Sequence, residues 1–142
     1  MSNPEVYTVD PEPLKRDLRF SVVWRFIAFL NIGIIIILSV IPGPEHIGDV
    51  FGLDKILHIF AYAFSMFWCS ICYPERKYIL VFSSGLILMG IVLEIVQGLT
   101  GYRMLSVYDM VANSIGVFSG WVLAQTRLSL LLSYIEKLFI TS

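Results

Sequence analysis

The chain has 142 residues, 57% of them hydrophobic and 15% charged, with a mean hydropathy of +0.79. That is too apolar for an ordinary soluble domain and long enough for several spans of about 20 residues each, which makes the class a small polytopic membrane protein. A net charge of -1 with no large basic block argues against nucleic acid as a partner, and two cysteines cannot build a disulfide framework.

Residues 1 to 20, with Pro4, Pro11, Pro13 and mixed charges, read as a mobile cytoplasmic arm. The first span runs from Val22 to Ile41, with Trp24 and Arg25 at its start and Pro42 and Pro44 as its stop. It lacks a small-x-small cleavage pattern and is expected to remain as an anchor. The loop after it carries Glu45, Asp49 and Asp54 and should face outward.

The second span runs from Asp54 to Cys72. Its polar residues Asp54, His58, Tyr62, Ser65, Cys69 and Cys72 recur at steps of three or four and form one stripe that should point into a bundle. Cys69 and Cys72 have redox spacing, but they sit at a helix C-terminus, where the dipole disfavours thiolate, so packing is the expected role. The third span, Tyr78 to Leu99, places Ser83, Ile87, Gly90, Glu94 and Gln97 on one face, and Gly90 lets a neighbour approach beneath the carboxylate. The fourth, Ser106 to Ala124, lines up Asp109, Asn113, Gly116 and Gly120, the two glycines forming a small-residue packing seam. After Arg127, the segment LSLLLSYIEKLF sets Ser129, Ser133, Glu136 and Lys137 opposite many leucines and fits a helix lying in the membrane interface.

The expected architecture is therefore an all-α four-transmembrane-helix bundle: an arm over 1–20, a membrane domain over 21–125 and an interfacial amphipathic helix over 126–142. Basic residues set its orientation. Lys15, Arg16, Arg19, Arg25, Arg76, Lys77, Arg127 and Lys137 fall on one side, Lys55 and Arg103 on the other, which puts both termini in the cytoplasm. Asp54, Lys55, His58, Glu94, Gln97, Arg103, Asp109 and Asn113 then converge on the outer face. Ionisable groups within membrane helices cost about 2.5 to 3.5 kcal/mol each on insertion scales, so such a cluster reads as a site.

Taken in order, Asp54-Lys55-x-x-His58, Glu94-x-x-Gln97, Gly101-Tyr102-Arg103 and Asp109-x-x-x-Asn113-x-x-Gly116 resemble the VanZ-like membrane proteins over roughly residues 33 to 124. The family usually has a proline near the loop before the arginine, and this chain reads Thr100-Gly101-Tyr102 there. The resemblance implies an integral protein of the bacterial cytoplasmic membrane, in a family named after a teicoplanin-resistance determinant, and implies no settled reaction. Its motif residues carry over to Asp54, Lys55, His58, Glu94, Gln97, Arg103, Asp109 and Asn113.

Two chemistries suit these residues. Lys55 and Arg103 can hold the anionic headgroup of a membrane lipid or of a lipid-linked wall or polysaccharide precursor, with Asp54, Gln97 and Asn113 completing the binding shell. Glu94, Asp109 and His58 can instead act as general acid and base on such a lipid, which would make the chain an enzyme. The plain alternative is a structural network that fixes helix register. No cofactor is expected. A metal set of His58, Glu94 and Asp109, with His46 from the loop, lacks tight ligand spacing, and no metal site is expected. Oligomeric state stays open.

Overall fold

A computed structural model describes residues 19–41, 52–100 and 105–141. Expectations for the rest of the arm, for the loop holding Glu45, His46 and Asp49, and for Arg103 lie outside the described residues. Every described element is helical: α1 (Ser21–Val40), α2 (Leu53–Cys72), α3 (Arg76–Thr100), α4 (Val107–Ala124), a 3₁₀ turn (Arg127–Leu130) and α5 (Leu131–Thr141). The first four are long and apolar enough to cross a membrane, which makes this a multi-pass membrane protein. The sequence-derived spans agree with them to within a residue or two at each end.

Side-chain pairs give the directions. Lys55 meets Asp109, and His58 meets Asn113 one turn on, so α2 and α4 run parallel. Asn31 meets Ser65 while Trp24 meets Trp68, so α1 runs against α2. Gly90 lies against Asn113 and Glu94 reaches Ser106, so α3 runs against α4. The polar stripe of α2 and the short side chains of α4 thus face each other in a bundle whose helices alternate up and down.

Among the described residues, the closest helix contact is that of α2 with α4. A Cβ at Gly116 would lie 2.5 Å from the Ile59 carbonyl oxygen, and one at Gly120 would run into the Ala63 carbonyl. Both glycines of the expected seam therefore lie directly on the backbone of α2. Beside the seam, Tyr62, Met66, Leu86 and Val117 form one buried cluster, and Phe67, Ile71, Cys72, Ala124 and Leu132 form another nearer the α2 C-terminus. Cys69 and Cys72 are buried free thiols, in keeping with a packing role.

The helix α5 departs from a simple two-faced pattern. Leu131, Tyr134 and Leu138 are exposed, whereas Leu132 and Glu136 are buried. Glu136, expected on a polar outer face, instead accepts the backbone N–H groups of Arg19 and Phe20, both at 2.9 Å, and the Trp24 indole N–H at 2.7 Å. The start of α1 has no side-chain cap of its own, so Glu136 supplies its acceptors from the far end of the chain. Burial opposes ionisation of Glu136, but the Phe20 N–H, the Trp24 indole and the Arg19 N–H and charge outweigh it and hold the carboxyl below its usual range.

Two predictions follow from this packing. Gly120→Ala should destabilise the detergent-solubilised protein by about 1–3 kcal/mol, since backbone must move to admit the methyl group; thermal unfolding measures it. The depressed Glu136 carboxyl stabilises the fold above the unfolded carboxyl range of about pH 4.3, and that stability is lost as pH falls through the lower folded value. Glu136→Gln should therefore lower thermal stability at neutral pH and flatten the wild type's acid loss, as read from melting temperature across an acid series.

Candidate functional site

Two helix starts, of α2 and α4, and two helix ends, of α1 and α3, meet at the Asp54 end of the bundle. Gly52, at φ 80°, opens α2 in left-handed backbone that glycine adopts without strain, and Asp54 sits in the first turn. Asp109 occupies the first turn of α4, behind Ser106 as N-cap. Both aspartates sit where the positive ends of two parallel helix dipoles favour a carboxylate.

The α4 start shows how the site is built. Ser106 Oγ accepts the Asp109 N–H at 3.3 Å, half of a capping box. The reciprocal half would bring the third helical residue back to the N-cap N–H, but Asp109 is turned to Lys55, with Nζ 3.0 Å from its carboxylate. Glu94 of α3 takes the vacated role and accepts the Ser106 N–H at 2.8 Å. A buried carboxylate from one helix thus caps the next.

His58 stands between the two aspartates and Asn113. Its Nδ1 lies 3.0 Å from Asn113 Oδ1, and its Nε2 lies 3.6 Å from Asp54 Oδ1. An amide oxygen can only accept, so Nδ1 carries the proton and Nε2 is turned to the carboxylates. Beneath them, a Cβ at Gly90 would lie 2.8 Å from Asn113 Nδ2 and 3.2 Å from the Tyr62 hydroxyl, so the absence of a side chain at Gly90 lets both settle under Glu94. Accessibility falls with depth: the Lys55 side chain is 44% exposed, Asp54 28%, His58 15% and Asp109 3%. The cluster opens at its Lys55 edge and closes at Asp109.

Of the residues expected in the site, the structure gathers Asp54, Lys55, His58, Asp109 and Asn113, with Glu94 joined through Ser106. Gln97 is directed elsewhere: its Nε2 donates to the Ser39 carbonyl at 2.9 Å and ties α3 to the end of α1. His58, Tyr62 and Gln97 nevertheless share a cleft of 150 Å³ between α1, α2 and α3, room for a handful of water molecules. Ser106 was missed by the sequence reading, although Ser106-x-x-Asp109 before an apolar run is a capping signature. Asp54 and His58, one turn apart on the polar stripe of α2, stand beside each other.

Compared with family models, with curated proteins and with solved structures, the chain matches none.

If the His58–Asn113 contact orients the ring, the two residues must be energetically coupled. A double-mutant cycle with His58→Ala and Asn113→Ala should give a coupling of about 0.5–3 kcal/mol in unfolding experiments, and a control pairing His58→Ala with Gly120→Ala should give a smaller one.

Proposed function

We propose that this chain is a VanZ-like protein of the bacterial cytoplasmic membrane, with both termini inside, whose outward site holds the anionic headgroup of a lipid or lipid-linked wall or polysaccharide precursor. The observation that carries the reading is Lys55: a half-exposed ammonium, anchored on the buried Asp109 carboxylate, at the open edge of a polar cluster set at one end of a membrane bundle. A cation held at headgroup depth by a buried counter-charge is pre-organised to accept a lipid phosphate as a second anionic partner. Arg103, which falls between α3 and α4 in the sequence, would add the planar donor fork that suits phosphate.

The orientation is supported by Arg25, Arg76, Lys77 and Arg127, which lie at the end opposite the site. On that same side α5 exposes Leu131, Tyr134 and Leu138, a lipid-facing strip suited to the interface. A link to glycopeptide resistance rests on the resemblance alone.

A second reading makes the protein an enzyme on the same lipid. It is favoured by the His58 ring, held by Asn113 on one nitrogen and set beside Asp54 on the other, an arrangement suited to moving a proton.

Lipid mass spectrometry on proteoliposomes loaded with a bacterial envelope lipid extract tests both. Wild type should retain an anionic lipid through purification that Lys55→Gln loses at least tenfold. A new lipid species made by wild type and absent with Glu94→Gln or His58→Gln would establish the enzyme. Equal lipid profiles for wild type and Lys55→Gln, with both folded, would sink the binding reading and leave the cluster as a register-fixing network.

A further inference from the structure

We propose that Asp54, His58 and Asp109 form a binding site for a divalent transition-metal ion of the zinc type, with Asn113 as its positioning residue. The inference stands on the protein's own donor geometry and does not rest on the lipid reading.

Each of the three residues offers one ligand atom, and these atoms lie within 4.8 Å of one another. A tetrahedral zinc ion bound at about 2.0–2.2 Å requires donors about 3.4 Å apart. His58 Nε2 and Asp54 Oδ1 already stand at 3.6 Å. The Asp109 oxygen lies within 4.8 Å of both, and bringing it to zinc distance requires its carboxylate to be shared between the metal and Lys55, which stands 3.0 Å away. The donors come from adjacent turns of two helices whose backbones are held in register by Gly116 and Gly120, so the frame of the site is rigid where the ligands attach.

The second observation is the state of the imidazole. Asn113 Oδ1 fixes the proton on Nδ1, leaving Nε2 as the atom presented to Asp54 and Asp109. A lone pair facing two carboxylates is repulsive, and the Lys55 ammonium, 3.0 Å from Asp109, offsets that at one of them. A metal cation held between the three donors would offset it at all of them. Ring orientation through the remote nitrogen by an amide or carboxylate oxygen is the usual outer-shell arrangement of metal-bound histidine. One imidazole with two carboxylates suits Zn²⁺ or Mn²⁺ better than the soft copper sites that thiolates select.

A dication here changes what the site attracts. A dication held by Asp54 and Asp109 would add positive charge beside Lys55 and strengthen the attraction of the site for an anion. Three protein ligands leave a coordination position for an outside oxygen, on the side where Lys55 is half exposed. The ligand class for that position is an oxyanion, most simply a phosphate.

The test uses the full chain in detergent micelles, stripped with chelator and titrated with Zn²⁺ against a chromophoric competitor. Wild type should bind one ion per chain. His58→Gln should weaken binding at least 100-fold, Asp54→Asn at least tenfold, and Asn113→Ala by 10–100-fold through the ring's orientation. His46→Gln should bind as wild type does, and circular dichroism and gel filtration establish that each variant is folded. X-ray absorption on the zinc-loaded wild type should show one imidazole and only oxygen donors beside it. Should the variants fail to fold, nitrogen NMR of the wild-type imidazole decides: Zn²⁺ should shift Nε2 while Nδ1 keeps its proton. No stoichiometric zinc, sulfur ligation, undiminished binding by His58→Gln or an unshifted Nε2 each overturns the proposal and leaves the cluster as a metal-free polar network.

Discussion

Everything at the polar end of this protein depends on how closely α4 can lie on α2. Water drives apolar surfaces together, but in lipid the tails are as apolar as leucine, so helix association there depends on contact and hydrogen bonding. Gly116 and Gly120 supply the contact by admitting the Ile59 and Ala63 carbonyls where a side chain would stand. With the backbones that near and running parallel, residues one turn apart on each helix meet in sequence: Lys55 with Asp109, then His58 with Asn113. The site is the polar continuation of a steric seam.

α1 shows the opposite solution. Only 11% of its spanning window is buried, so its apolar side chains mostly meet lipid. Polar bonds place it instead: Asn31 to Ser65 in the middle, the Trp68 indole to the Trp24 carbonyl at one end, and Gln97 to the Ser39 carbonyl at the other. A helix held by a few polar contacts can rotate or tilt at lower cost than one locked by glycines. Gln97, whose sequence position suggested a ligand-shell role, serves that attachment.

Much of this was legible in the sequence because membrane helices expose their logic through cost. Polar residues at steps of three or four on α2, and the spacing of Asp109, Asn113, Gly116 and Gly120, identify inward faces with little ambiguity, and the structure joins those two faces. Contacts set by chain geometry between distant segments were not legible. Glu94 could be placed on the correct face but not assigned to the Ser106 N–H, because that bond depends on the approach of the loop into α4. Glu136 was misplaced for a related reason: periodicity assigns a charge to the wet side of an amphipathic helix, and nothing local shows that unsatisfied N–H groups wait 117 residues earlier.

That last separation carries a consequence for biogenesis. The donors at the start of α1 leave the ribosome long before their acceptor. At about 5–20 residues per second, the interval is roughly 6 to 23 seconds, during which α1 is already apolar enough to enter the bilayer. In that time the N-terminal end of the first span must be satisfied by water or lipid headgroups, and the late arrival of Glu136 replaces those temporary partners. A chain cut short before α5 would carry all four spans and most of the site, yet leave the start of its first helix without the acceptors that Glu136 provides.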